Sequence, residues 1–257
     1  MYYIDQTGYK IKLTHYPTRI VSLVPSQTEL LFDLGLREEI VGITKYCILP
    51  EKDCEYKTKI GGTKNFDFKI IEALKPDIII GNKEENYKEG IEKLREKYPV
   101  WLSEIYTFEN ALDMIQELGT ICNKSESTSK LATEIKIGFQ KIQIFKKLKF
   151  LYFIWKNPYM VVGRNTFINN LLEMIGLENC TEQSRYLSFD GDEIQKMDVD
   201  ITFLSTEPYK FREKHIKEFS ELTPASKIIL LDGKVCSWYG SRLKYFPQYI
   251  NELLRVS

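Results

Sequence analysis

Leu31-Phe32-Asp33-Leu34-Gly35-Leu36, in the first half of the chain, returns as Leu172-Glu173-Met174-Ile175-Gly176-Leu177 in the second. In both copies a glycine follows an apolar helical stretch. A helix closes there in the left-handed region, which a residue without a Cβ enters at least cost. A second echo pairs Ile71-x-x-Leu74-x-x-Asp77-Ile78-Ile79-Ile80 with Ile194-x-x-Met197-x-x-Asp200-Ile201-Thr202-Phe203, a short helix passing through an acidic turn into a buried strand. Matched helix ends and matched helix-to-strand junctions predict two similar α/β lobes, with a ligand cleft expected where they meet.

Outward from these junctions, strands are expected at 19–24, 40–44, 77–81 and 100–102, with helices at 67–75, 84–97 and 108–121. The second half repeats the alternation, with strands at 150–155, 200–205 and 228–232 and helices at 166–176, 190–197, 211–220 and 244–255. Such alternation predicts parallel sheets covered on both faces. Tyr2-Tyr3-Ile4 and Tyr9 to Leu13 alternate around Gln6-Thr7-Gly8 and read as a hairpin. Ser26-Gln27-Thr28-Glu29 and Asn123-Lys124-Ser125-Glu126 both have capping-box spacing. From Leu131 onward Ile135, Ile142, Phe145 and Leu148 recur at helical intervals without proline, so 124–147 reads as one helix of roughly 36 Å. The fold class is α/β, with two similar Rossmann-like lobes built on central parallel sheets. The lobes occupy residues 1–122 and 149–257, and one long rigid backbone helix in 123–148 joins them.

The 257 residues carry 36 basic and 36 acidic side chains, so no global field favours nucleic acid or an anionic membrane surface. No apolar run approaches the ~20 residues that span a bilayer, and the opening Met1 to Gly8 lacks a basic segment followed by an apolar one. As written, the sequence reads as a cytoplasmic chain, or as a cell-envelope chain if a signal segment was trimmed. Cys47, Cys54, Cys122, Cys180 and Cys236 form no Cys-x-x-Cys pair, which suits free thiols. His15 and His215 have no second histidine at ligand spacing, so neither a bare-metal site nor a catalytic cofactor is expected. There is no P-loop, no Gly-x-Gly-x-x-Gly and no nucleophile elbow. Ser26 reads as a helix cap rather than a nucleophile, and Cys47 as a small apolar residue.

Four features stand in order along the chain: Arg19-Ile20-Val21-Ser22-Leu23-Val24-Pro25-Ser26-Gln27-Thr28-Glu29, then Val41-Gly42-Ile43-Thr44-Lys45-Tyr46 with Pro50 following, then Gly61-Gly62 leading to Ile71-Glu72-Ala73-Leu74-Lys75-Pro76-Asp77-Ile78-Ile79-Ile80, and the single linking helix. Together they resemble class III substrate-binding proteins of ABC importers, the helical-backbone receptors for cobalamin, haem and ferric siderophores. The cobalamin-binding branch is the most similar. The resemblance implies a monomeric, non-catalytic receptor that holds a large metal chelate between its lobes and docks on an ABC permease through surface acids. Asp192 and Glu193 offer those acids on the second lobe, whereas Lys69 stands at the first-lobe position and departs from the pattern.

In a parallel α/β sheet, ligands lie beyond the carboxyl ends of the strands. The candidate ligand-binding residues are Ser26, Gln27, Tyr46, Thr63, Lys64, Asn82, Lys83, Trp155, Arg164, Tyr186, Glu207, Trp238, Tyr239 and Arg242. Trp238, Tyr239 and Arg242 crowd a turn at Gly240, where rings and a cationic fork suit a planar ligand with carboxylate or phosphate groups, or simply pack a loop. Lys64, Lys83, Lys156, Arg164 and Arg185 either make the cleft locally basic, favouring an anionic chelate, or are solvated surface charges. Two other readings stay open. One is an intracellular enzyme acting on an anionic small molecule, with Glu29, Glu84, Glu207 or Lys64 as acid or base. The other is an interaction module whose cleft is filled by its own side chains, Trp155 packed on Trp238.

Overall fold

The computed structural model of the chain describes residues 1–144 and 147–255. The chain divides into two compact units. Unit 1 comprises Met1–Ile105, Glu109–Lys136 and Tyr239–Arg242, and unit 2 comprises Tyr106–Phe108, Ile137–Trp238 and the chain from Leu243 onward.

The first half begins with β1 (Tyr2–Ile4), β2 (Lys10–Lys12), β3 (Ile20–Ser22), α1 (Pro25–Asp33), β4 (Ile40–Ile43), α2 (Glu51–Glu55) and β5 (Thr58–Lys59). It continues through β6 (Gly61–Gly62), β7 (Asn65–Phe66), α3 (Phe68–Leu74), β8 (Ile78–Asn82), α4 (Lys88–Arg95), β9 (Val100–Ser103), α5 (Phe108–Ile121) and α6 (Ser125–Gln140). Strands β1 and β2 form the expected hairpin. The main sheet of unit 1 has the order β5-β4-β3-β8-β9 and is parallel throughout. Its central strands are buried on both faces, which is why Ile20-Val21 and Ile78-Ile79-Ile80 read as continuous apolar runs rather than alternating ones.

The second half runs β10 (Lys149–Trp155), β11 (Tyr159–Val162), α7 (Phe167–Met174), β12 (Glu178–Asn179), β13 (Tyr186–Phe189), α8 (Gly191–Gln195) and β14 (Ile201–Ser205). It ends with α9 (Ile216–Leu222), β15 (Lys227–Leu231), α10 (Gly233–Ser237) and α11 (Phe246–Arg255). The sheet of unit 2 has the order β13-β11-β10-β14-β15, with β12 pairing on β10. Strands β10, β12, β14 and β15 are parallel, while β11 pairs antiparallel with β10 and β13 antiparallel with β11. Leu151, Phe153, Val161, Leu204, Phe211 and Phe219 form the core on one face.

Both echoes have a shared structural cause. Gly35 and Gly176 adopt φ of 75° and 89°. In each, the residue after the glycine bonds back across the closing turn, Leu36 N–H to Leu31 O at 3.1 Å and Leu177 N–H to Leu172 O at 3.2 Å. The acidic turns match too. Asp77 Oδ2 accepts from the amides of Thr18 and Arg19 at the start of β3, and Asp200 Oδ2 accepts from the amide of Lys149 at the start of β10. Each aspartate pins the amino end of the neighbouring strand.

Three local expectations are corrected. Helix α1 begins at Pro25 with Val24 as its N-cap and no side-chain cap, so Ser26 is not a cap. Proline pre-sets the first helical φ, and the helix starts two residues upstream of the expected position. Asn123 does not open α6 either, because its φ of 55° closes α5, with Lys124 N–H bonding Gly119 O at 2.6 Å. The linking helix is shorter than 124–147. It ends at Gln140, where Lys141 and Ile142 bond three residues back in a tightened last turn. Phe139 stacks on Phe246, centroids 5.4 Å apart, and Ile142 is buried beyond the helix end, so the apolar period continues where the helix does not. Leu148 is 38% exposed, and the Phe145 position lies outside the described residues.

Candidate ligand-binding faces

At the carboxyl ends of the unit 1 strands, the predicted residues split into those that build the surface and those that it presents. Gln27 is fully buried, its Nε2 donating to Gly81 O and to Ser103 Oγ at 3.0 and 2.8 Å. Asn82, also buried, donates to Ser103 Oγ and accepts from the amides of Glu84 and Glu85 at 2.8 and 3.0 Å. These bonds shape the loop after β8. Asn86 closes it by accepting from Asn82 N–H and donating to Thr63 O. Lys64 Nζ caps the same loop, at 2.7 Å from Glu84 O and 3.4 Å from Asn86 O. Lys83 is paired with Glu104 at 2.5 Å.

Tyr46 is 52% exposed, and Lys45 Nζ lies 5.2 Å from its ring centroid. Its ring packs over Gly62, where an added Cβ would lie 3.2 Å from it.

Sequence distance hid the contribution of Tyr239–Arg242 to this unit. Tyr239 is buried and its hydroxyl donates to Glu85 Oε1 at 2.6 Å. Burial first, and the Glu85 charge second, push its pKa well above the ordinary value. Arg242 forks onto Glu29, Nε to Oε2 at 2.8 Å and Nη2 to Oε1, with 14% and 9% of the side chains exposed. Gly240 lies against the α1 backbone so closely that a Cβ would meet Ser26 O at 2.6 Å. Ser26 Oγ, Gln27 Oε1 and Ser241 Oγ are buried beside these contacts with no hydrogen-bond partner among the described residues.

In unit 2 the predicted residues form two groups. Trp155 is the last residue of β10 and Glu207 follows the carboxyl end of β14, and Trp238 Nε1 donates to Glu207 Oε2 at 3.3 Å. Trp155 is 41% exposed and its ring meets Tyr209 edge-on at 5.6 Å rather than Trp238. Lys156 is paired with Glu218. Burial alone would raise the Glu218 pKa, but hydrogen bonds from Lys156 and Tyr159 outweigh it and hold the carboxyl below its ordinary value.

Arg164 and Tyr186 lie elsewhere, because β11 runs back against β10 and β13 pairs Tyr186 with Val162. Here two loops are stitched by backbone bonds, Gly163 N–H to Arg185 O, Arg164 N–H to Gln183 O and Arg185 N–H to Arg164 O, at 2.7 to 2.8 Å. Asn165 and Arg185 take φ of 56° and 73°. Asparagine tolerates that region, whereas arginine there stores strain of about 1 kcal/mol or more, a feature that clusters at ligand sites. Gly163 has no room for a side chain, since a Cβ would meet Gln183 O at 2.5 Å. The Arg185 guanidinium carbon lies 5.4 Å from the Tyr106 ring centroid and 5.9 Å from that of Tyr186, which is 40% exposed. Beside them is a pocket of about 250 Å³ lined by Tyr106, Thr107, Arg164–Thr166, Asn169, Asn170 and Glu173. The sequence reading missed Tyr106, Thr107, Asn165 and Asn170, which carry no motif.

Among the described residues no cluster of His, Cys, Asp or Glu is placed to hold a metal ion, and no helix is long and apolar enough to cross a membrane.

A sequence model of the family described as Periplasmic binding protein matches residues 20–227. The chain belongs to that family. The chain is 24% identical over 209 residues to the uncharacterized ABC transporter substrate-binding lipoprotein YvrC of Bacillus subtilis, covering 76% of this chain and 66% of that protein. It is 26% identical over 168 residues to the vitamin B12-binding protein of Vibrio campbellii, covering 63% of this chain and 60% of that one. The matched stretches thus span less than two thirds of these relatives' own length. Among solved structures, the siderophore-binding protein BauB superposes with a TM-score of 0.81 at 17% identity, over 100% of this chain and 99% of that one. The fold class predicted from the echoes is the fold of this family.

Proposed function

We propose that the protein is a non-catalytic substrate-binding component of an ABC importer, acting outside the cytoplasm and holding a large metal chelate. A corrinoid ranks first, with a ferric siderophore or a haem next. The observation that carries this reading is the family match across residues 20–227, with a relative named for vitamin B12 and another named as an ABC transporter substrate-binding lipoprotein.

The side chains divide accordingly. Tyr46, Trp155 and Tyr186 are half-exposed rings suited to stacking on a flat ligand, and Arg164 is an exposed fork for its acidic groups. Asn82, Lys64, Tyr239 and Arg242 act one step back, by holding the loops that frame the ligand. Docking on a permease uses Asp192 and Glu193 at the start of α8, both exposed. Glu193 also completes the α8 capping box through the Asp190 amide at 2.8 Å, so Asp192 is the acid available in full. On unit 1 the exposed Lys69 faces the permease instead of an acid.

The test is a fluorescence titration of the purified protein with cyanocobalamin, haemin and a ferric siderophore, with an inner-filter control. Trp155 is the expected reporter, since Trp101 is fully buried and Trp238 is held on Glu207. Saturable quenching at micromolar or tighter affinity, reduced in a Trp155→Phe variant, supports the reading. Recovery of chemically altered ligand would replace it with the enzyme alternative.

A further inference from the structure

The predicted ligand-facing cations are not equally available. Lys64 is bound to two backbone carbonyls, Lys83 to Glu104, Lys156 to Glu218 and Arg242 to Glu29. Arg185 is laid over the rings of Tyr106 and Tyr186. Arg164 differs: it is exposed, and among the described residues its guanidinium has no hydrogen bond, ion pair or ring contact. Its backbone is nonetheless fixed, by the amide and carbonyl bonds to Gln183 and Arg185 and by Asn165 Nδ2, which reaches Ser184 Oγ at 2.8 Å. A rigidly mounted arginine with an uncommitted fork is pre-organised for a planar anion.

We infer that the pocket beside Arg164 receives a carboxylate- or phosphate-bearing arm of the ligand, so that the natural chelate carries at least one free acidic group. The pocket of about 250 Å³ falls below the volumes of about 300 Å³ and more that hold whole small-molecule ligands, and so fits one arm rather than a macrocycle. Asn165, Asn170 and Thr107 add neutral polar side chains to the lining. Arg164 is the one cation and Glu173 the one carboxylate among the lining residues. This inference rests on the chelate-binding reading above and specifies the ligand's charge.

The experiment pairs each acid-bearing probe with a neutral counterpart. Haemin is compared with haemin dimethyl ester, which reads a carboxylate arm, and cyanocobalamin with dicyanocobinamide, which lacks the phosphate. Each is titrated against the native chain, Arg164→Gln and Arg164→Lys, with thermal unfolding confirming that the exposed position leaves folding intact. The native chain is expected to bind the acidic member of one pair more tightly. Arg164→Gln should weaken that member by about tenfold to a hundredfold, Arg164→Lys by less, and neither should move the neutral counterpart. If a pair binds but Arg164→Gln leaves both members unchanged, or weakens both equally, the acidic-arm inference is overturned while the receptor reading stands. If no probe binds the native chain, the corrinoid and haem forms of the receptor reading fall, and this inference falls with them.

Discussion

Removing the guanidinium of Arg242 should be among the most damaging single changes to this chain, although the residue lies far in sequence from the rest of unit 1. Arg242 and Glu29 are 14% and 9% exposed and meet through a two-bond fork, so solvent screening takes little from the interaction. For a buried pair, deleting one partner costs about 3–5 kcal/mol, because the remaining charge stays desolvated, whereas replacing both by apolar side chains is often close to neutral. Arg242→Met is therefore expected to lose about 3–5 kcal/mol, and Glu29→Met with Arg242→Met together less than about 1–2 kcal/mol. Urea unfolding followed by circular dichroism gives the stabilities. Hydrogen exchange of the peptides covering α1 and residues 238–243 reports whether the segment leaves unit 1. The reasoning is refuted if Arg242→Met costs under about 1 kcal/mol, the value of a surface pair, or if the double replacement is as harmful as the single one.

Two further outcomes follow from individual residues. Glu117 Oε2 is buried without a hydrogen-bond partner among the described residues, and burial first, then the charges of Asp113 and Asp5, push its carboxyl up to about 7 from an ordinary 4.5. A raised carboxyl pKa favours the protonated folded form, so stability is greatest below the unfolded value and declines as pH rises from about 4.5 to about 7. Glu117→Gln should stabilise the protein by about 1–2 kcal/mol at pH 8, after discounting for its partial exposure, and by nothing at pH 4; equal gains at both pH values in thermal unfolding would rule this out. At Gly35, φ is 75° and an added Cβ meets nothing within 4 Å, so Gly35→Ala should cost about 1 kcal/mol from backbone conformation alone, and Gly35→Asn less. Gly240→Ala should cost more than either, because there the Cβ would strike Ser26 O; an equal loss at the two glycines would show that the Gly240 contact yields easily.

The parts of the fold legible in the sequence were those fixed by local chemistry. The glycines at 35 and 176 and the aspartates at 77 and 200 each do one job within a few residues of themselves or at one neighbouring strand, and each job leaves a recognisable residue type. The apolar runs of β3 and β8 were legible for the same reason. Strands β11 and β13 were not. They are short strands whose antiparallel pairing depends on the hairpin that follows β10, and Tyr186-Leu187-Ser188-Phe189 has half-exposed positions rather than a buried run. The end of α6 was also hidden. Ile142 keeps the helical period because the same core continues beneath the turn, so hydrophobic spacing reports burial, not where the backbone stops being helical.

The candidate site shows a different limit. The sequence reading gathered charges and rings by residue type, but a charge can serve as a ligand group only when the fold leaves it unspent. Arg242 and Arg164 look alike in the chain. Arg242 meets a glutamate more than two hundred positions away, and that contact turns it from a candidate anchor into part of the wall. Lys64 and Asn82 are likewise taken by the backbone of one loop. What remains after these subtractions is a few half-exposed rings and one fixed, uncommitted arginine. On the inference drawn for Arg164, a relative with the same basic residues but a different pattern of internal pairing should prefer a differently charged chelate.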